Sequence, residues 1–294
     1  MSAPPGYRAA LTAACARVGL DARDAVLLHV RANAVYHLPR SGVVARLRSA
    51  PGDPAAVLDR FTAAVRAIRW LRGHGFPATE PLDLDQPVVV EGHVATFWRY
   101  VEVTSEAGRD VTTLARLLRW LHRLPAEAVR LNKTNPLGSL RADLRQCGAL
   151  RPAQREWLLA RADELERQYL RTRWVLGAGL IHGDAHAGNL LNAAGGAVLG
   201  DWDSVSHGPR ELDLVPTSLW FRYGRPRAEW DQFCAAYQIG PDELPGLTVA
   251  QRMRELRALA AYMRNAADPG FAAELSHRVT SLMTGDQTQP WHAM

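Results

Sequence analysis

The chain predicts an α+β protein of two unequal lobes: a small N-terminal β-sheet lobe with one main helix, and a larger, mostly helical C-terminal lobe. Three observations carry that expectation. Between Ala25 and Trp98, short apolar runs alternate with Gly, Pro, Asn and Ser clusters, as antiparallel strands do. Beyond Tyr100 the apolar spacing turns helical. A short β interlude at 179–203 interrupts the helices and holds a polar motif.

Each element has its own local reason. Tyr7 to Leu20 has helical apolar spacing. Residues 25–30, 35–38 and 43–48 read as three strands, separated by turns at Arg31-Ala32-Asn33-Ala34 and Pro39-Arg40-Ser41-Gly42. Pro54 to Arg72 aligns Val57, Phe61, Val65, Ile68 and Leu71 on one helical stripe, which Gly73 and Gly75 end. Val88-Val89-Val90 and Val94-Ala95-Thr96-Phe97-Trp98 predict two further strands joined at Glu91-Gly92-His93. Helices follow over 112–124, 137–147 and 152–170, and after the interlude over about 213–224, 227–238, 248–266 and 270–284. The tail Gly285 to Met294 reads as loose.

Composition excludes several classes. A hydrophobic share of 47% and a charged share of 22% are ordinary for a globular chain, and 294 residues can bury a large core. The net charge of +5 rests almost entirely on Arg, with Lys133 the only lysine. The arginines are dispersed, without a basic run interleaved with aromatics, so no nucleic-acid partner is expected. Cys15, Cys147 and Cys234 are far apart and form no CxxC pair, which suggests a reducing compartment. The start lacks a charged n-region and an apolar h-region, and no apolar stretch reaches the ~18 residues a membrane span needs. A cytoplasmic protein without a membrane partner is the expectation.

The polar motif is Ile181-His182-Gly183-Asp184-Ala185-His186-Ala187-Gly188-Asn189-Leu190-Leu191, followed by Gly200-Asp201-Trp202-Asp203. Strand Gly179-Leu180-Ile181 leads into a tight loop, and a hairpin over 190–200 brings the chain back to Asp201. Asp184 can orient an attacking hydroxyl and take its proton, since an Asp near ~3.9 is ionised at cytosolic pH. Asn189 and Asp201 are hard oxygen donors suited to Mg²⁺, which needs few protein ligands beside nucleotide phosphates. A zinc site from His182, Asp184 and His186 would need them on one side of an extended segment; Gly183 and Gly188 argue for a turn, and no His/Cys cluster completes it. His182 and His186 read better as braces of the loop. Trp202 reads as packing, and Asp203 as a metal ligand or a turn cap. Asp213 reads as a buried carboxylate tying down the loop, or as a helix N-cap.

This pattern resembles a known family. His182-x-Asp184-x-x-x-x-Asn189 is similar to the catalytic loop of the protein-kinase-like fold, and His-Gly-Asp-x-His-x-Gly-Asn to its aminoglycoside phosphotransferase and choline kinase branch. Asp201-Trp202-Asp203 sits where that branch carries its metal-binding Asp. Gly208 to Leu214 resembles the following segment, and Leu114 to Leu124 the central helix. The resemblance spans roughly residues 25 to 225. It implies a protein-kinase-like two-lobed fold, with a nucleotide-binding lobe over 1–97, a hinge over 98–103 and a catalytic lobe over 104–294. It also implies phosphate transfer from ATP or GTP, with Mg²⁺, to a small-molecule hydroxyl.

On the nucleotide side, the resemblance places residues 29–48 over the phosphates. There is no GxGxxG; the small residues of 31–34, with Asn33, could approach phosphate, although a plain hairpin turn explains them equally. Arg46 stands where kinases carry a phosphate-binding Lys, and its guanidinium can grip phosphate; a solvated strand Arg is the alternative. Phe97, Trp98, Arg99 and Tyr100 fall at the implied hinge, beside a purine. One departure is Ala64, which occupies the helix position where the family often pairs Glu with the strand cation. Another acid then partners Arg46, or none is needed, or the protein binds nucleotide without turnover.

The acceptor should lie over Asp184, walled by the C-terminal helices. Glu229, Asp231, Asp242, Glu243, Glu255 and Glu274 could attract a polyamine sugar, or be solvated faces offset by Arg222, Arg225, Arg227, Arg252 and Arg254. The acceptors expected are an aminoglycoside or related antibiotic, which would make the chain an antibiotic-resistance enzyme, or another sugar, amino alcohol or metabolite. The residues leave the oligomeric state open.

Overall fold

The computed structural model of the chain describes residues 6–104, 110–125 and 129–292. The expected start at Met1 and the last two tail residues lie outside them. Two compact units are present: Met1–Arg109 with Pro125–Asn132 and Gly188–Val205, and Asp110–Leu124 with Lys133–Ala187 and Ser206–Met294.

The first unit is built on a five-stranded antiparallel sheet: β1 (Val26–Val30), β2 (Ala34–Leu38), β3 (Val43–Ser49), β4 (Val88–Val90) and β5 (His93–Arg99), in the order β1-β2-β3-β5-β4. The β4–β5 turn is tight because Glu91 and Gly92 both adopt positive φ, +46° and +68°, the combination a two-residue hairpin of the right twist requires. Side chains alternate across the sheet. One face, with Tyr36, Leu47 and Phe97, is covered by Leu11, Ala14 and Cys15 of α1 (Tyr7–Arg17). Val94 on the other face packs with Phe61 of α2 (Ala55–Gly73). Arg46 of β3 pairs in register with Thr96, which puts it on the α2 face. The unit also holds the hairpin of β7 (Leu190–Ala193) and β8 (Gly196–Leu199), whose following 3₁₀ turn, Trp202–Ser204, packs against α2.

The second unit is helical around one small ladder. Its helices are α3 (Val111–Leu121), α4 (Leu140–Gln146), α5 (Pro152–Arg171), α6 (Val215–Ser218), α7 (Arg227–Tyr237), α8 (Leu247–Arg257), α9 (Leu259–Arg264) and α10 (Pro269–Thr284). Residues of α4, α5, α8, α9 and α10 share one apolar core, including Leu144, Leu158, Leu165, Leu256 and Val279. α3 packs on α7. No helix among the described residues is long and apolar enough to cross a membrane.

Several expectations need correction. The helix expected over 248–266 is divided at Ala258 into α8 and α9. The stretch expected to be helical over 213–224 breaks into short turns around Pro216. A strand that alternation did not reveal, β9 (Ser206–Pro209), pairs antiparallel with β6 (Ala178–Ile181). The tail over 285–292 is packed: Trp291 is buried, and its ring is faced by the guanidinium groups of Arg222 and Arg278 at 4.7 and 4.8 Å.

Candidate active site

In the second unit, β6 ends at Ile181 and delivers His182, Gly183 and Asp184 into a turn. Gly183 has φ +80°, a conformation that a side-chain-bearing residue would strain. The turn is fixed from below by Asp213, which is fully buried: its two carboxylate oxygens accept from the main-chain N–H groups of His182 and Gly183, each at 2.7 Å. The Nε2 of His122, at the end of α3, lies 3.0 Å from the same carboxylate, and Nδ1 lies 2.7 Å from the Tyr237 hydroxyl on α7. Of the two readings of Asp213, the buried tether is the one found. His182 is buried, and its Nδ1 accepts from the Asp184 N–H at 3.3 Å, so it braces the loop from within.

Asp184 itself is held by Arg254 of α8, whose Nη2 donates to Oδ1 at 2.5 Å. Burial opposes ionisation of Asp184, but Arg254, His186 and Arg257 together overcome it and hold the carboxyl well below the usual carboxylate range. Arg254 shows the reciprocal effect: burial opposes its charge, and Asp184 raises its pKa nonetheless. The sequence alone places Arg254 only among the arginines that offset the acidic residues of the C-terminal helices. The available signal was helical spacing, since Ala250, Met253, Arg254 and Arg257 fall on one face of α8. Those four, with Ile181, Gly183 and Leu212, line a recess beside the loop.

In the first unit, four of the expected residues meet. Arg46 Nη2 lies 2.6 Å from Asp201 Oδ1 and 3.1 Å from Asp203 Oδ2. Asn33 donates to Asp203 Oδ2 at 2.6 Å. Burial works against the charge on Arg46, and Asp203 and Asp201 more than offset it, so its pKa is raised. These two carboxylates supply the acidic partner that Ala64 does not; Ala64 is buried in α2. Asp203 therefore does more than cap a turn. Asn33, read as a phosphate donor, spends its amide on Asp203, and its Oδ1 is buried with no partner among the described residues.

Asp201 adopts φ +57°, a left-handed conformation that Asp tolerates better than most residues but still unfavourable. The Asn189 carbonyl accepts from the Gly200 N–H at 2.9 Å, so the hairpin base sets Asn189 across from the residue before Asp201. Among the described residues no group of three or more His, Cys, Asp or Glu is disposed to hold a metal ion. Asn189 and Asp201 are nonetheless the donor types that suit a magnesium ion completed by phosphate and water oxygens, and the Asp201 side chain is 48% exposed.

The strand at the expected hinge divides. Phe97 is committed to the core: its side chain is buried, its N–H donates to Gln86 Oε1 at 2.7 Å, and its carbonyl accepts from Leu82 and Gln86. That leaves it nothing to offer a nucleotide. Trp98 is buried and donates to Thr96 Oγ1. Arg99 pairs with Glu80 at 3.0 Å, and Tyr100 stacks on His37 with ring centroids 3.8 Å apart. The main-chain N–H groups of Arg99 and Tyr100 donate to Glu80 and Gly42.

Residues 27–247 match the phosphotransferase enzyme family APH. The chain belongs to that family. It is therefore a phosphotransferase with a hydroxyl group as acceptor. Among solved structures it resembles the amicoumacin kinase hAmiN in complex with AMP-PNP, Ca²⁺ and Ami, at 15% identity, 98% of this chain, 96% of that chain and a TM-score of 0.75. A choline/ethanolamine kinase family protein from Mesorhizobium loti matches at 17% identity, with coverages of 96% and 95% and a TM-score of 0.66. An aminoglycoside phosphotransferase from Streptomyces rimosus matches at 20%, covering 86% of this chain and 98% of that one, with a TM-score of 0.62. These likenesses establish the protein-kinase-like fold. No curated protein matches the sequence.

Proposed function

We propose that the protein transfers the γ-phosphate of ATP to a hydroxyl of a small molecule in the cytoplasm, with 1–97 as the nucleotide lobe, 98–103 as the hinge and 104–294 as the catalytic lobe. The observation that carries the reading is Asp184: an ionised carboxylate at the tip of a loop that Asp213 ties down through two main-chain bonds. In the step, the acceptor oxygen bonds to the γ-phosphorus and the β–γ bridging bond breaks. The nucleoside diphosphate leaves, and Asp184 takes the hydroxyl proton. A carboxylate held so far below neutral pKa is a weak base, which suits orienting the hydroxyl first and receiving its proton late.

Arg46 would contact the nucleotide phosphates, giving up part of its hold on Asp201 as they arrive. Asn189 and Asp201 would hold Mg²⁺, which when bound neutralises phosphate charge. The main chain beyond Tyr100 would meet the purine edge, since the Arg99 and Tyr100 N–H groups are spent on Glu80 and Gly42. The solved relatives named for AMP-PNP and for GDP complexes support a nucleotide here, and either purine nucleotide suits these groups. Pairing of Arg46 with Asp201 and Asp203 weighs against a protein that only binds nucleotide, because the cation keeps an acidic partner despite Ala64.

The test is nucleotide consumption with magnesium and a panel of hydroxyl acceptors. Asp184→Asn should cut turnover by about 10²-fold or more while leaving nucleotide affinity unchanged. Undiminished turnover in that variant would remove Asp184 from the mechanism.

A further inference from the structure

The face of α8 that meets the catalytic loop is basic. Ala250, Met253, Arg254 and Arg257 recur at helical spacing and line the recess with Ile181 and Leu212. Arg254 spends part of a five-donor fork on Asp184, and Arg257 Nη1 lies 3.4 Å from the Gly183 carbonyl. Both guanidinium groups therefore stand within one residue of the carboxylate that would receive the acceptor hydroxyl.

Four of the acids that could have made this a polycation pocket are engaged elsewhere, and the exposed Asp242 and Glu243 do not line the recess. Glu255 lies on α8 but is buried against Arg222, away from the recess face. Glu229 pairs with Arg225, Asp231 with Arg227, and Glu274 with Arg278. Asp213 is bonded to the loop main chain and to His122. None of these carboxylates lines the recess, whereas Arg254 and Arg257 do. An ammonium group brought there would meet two cations, whereas a carboxylate or phosphate would find fork-shaped donors matched to it. Helix α8 begins where the family match stops, so membership in the family does not set the charge of this face.

Building on the proposed phosphotransfer, we propose that the acceptor is an anionic polyol, one carrying a carboxylate or phosphate near its reactive hydroxyl, and that Arg254 and Arg257 bind that anionic group. A polyamine sugar is the acceptor this charge disfavours.

The experiment uses four compounds with one carbon skeleton: glucose, glucosamine, gluconate and glucose 6-phosphate. Their binding to the full chain is measured by calorimetry, and their phosphorylation by nucleotide consumption, for the wild type and for Arg254→Met, Arg254→Lys, Arg257→Met and Arg252→Met. Arg252 is an exposed arginine of the same helix outside the recess and controls for general charge. Gluconate or glucose 6-phosphate should bind at least about tenfold more tightly than glucose, and glucosamine more weakly. A preference for gluconate alone marks a carboxylate site, and for glucose 6-phosphate alone a phosphate site. Arg254→Met and Arg257→Met should abolish the preference, Arg254→Lys should keep part of it, and Arg252→Met should leave it unchanged.

Three results overturn the inference: no saturable anion binding, anion binding indifferent to Arg254→Met and Arg257→Met, or tighter binding of glucosamine than of glucose. Phosphorylation of glucosamine in preference to the anions would sink the anionic acceptor while upholding phosphotransfer. Anion binding lost in both Met variants, with no nucleotide consumed under any condition, would instead sink phosphotransfer, and the acceptor assignment with it.

Discussion

Asp184 is governed by its neighbours more than by its type. Burial pushes its carboxyl toward neutrality, and Arg254, His186 and Arg257 pull it further the other way. Because the folded pKa lies below the unfolded value near ~3.9, this ionisation stabilises the fold above that pH; the contribution fades as pH falls toward the folded value. Asp184 should therefore impose no acid limb on kcat/KM between about pH 5 and 9. Removing its bonded cationic neighbour with Arg254→Met should raise the Asp184 pKa and move the acid limb of kcat, read with the acceptor at saturation, to higher pH. An unmoved limb would show that Arg254 does not set the charge of the base. The motif spacing made Asp184 legible in the sequence; Arg254, 70 positions away, was not, since nothing local to α8 says which residue it faces.

At the scale of elements, apolar periodicity located nearly every helix and strand of the first hundred residues, because each side of the sheet is covered by one helix and alternation survives. It failed at β9, whose Ser206-His207-Gly208-Pro209 carries no apolar alternation; that strand exists because β6 offers it a partner. The helix α3, expected over 112–124 from its apolar spacing, opens on a side-chain cap that the spacing did not reveal. Its N-cap, Asp110, accepts from the N–H groups of Thr112 and Thr113 at 3.0 and 2.9 Å. The cap is exposed, so Asp110→Ala should cost about 0.5–1 kcal/mol in denaturant unfolding, at the low end for such caps. Burial opposes its ionisation, and the bonds to Thr113 and Thr112 lower its pKa in spite of that. The cap should then weaken as pH falls below the usual carboxylate range, and the wild-type advantage over Asp110→Ala should shrink with it.

Across the whole molecule, the C-terminal segment shows how far a sequence-level reading of a tail can miss. Residues 285–292 lack periodicity, yet Arg222 donates to the Asp286 carbonyl at 2.7 Å and Arg278 to the His292 carbonyl at 2.6 Å. Both arginines are buried and each is paired, with Glu255 and Glu274. Deleting 286–294 would strip these guanidinium groups of main-chain acceptors and remove buried Trp291, so the truncated chain should lose roughly 3–5 kcal/mol. Equal denaturation midpoints for the truncated and full chains would contradict the packing described. By itself the sequence determined the α+β class, most of the order of elements and the loop that carries Asp184, since these rest on local periodicity and on chemistry concentrated in one stretch of chain. Only the tertiary structure decided that Asp201 and Asp203 partner Arg46, that Asp213 tethers the loop and that α8 sets arginines beside Asp184. Those pairings join residues 30 to 157 positions apart, and burial and Coulomb energy depend on distance in space, which one-dimensional spacing does not record.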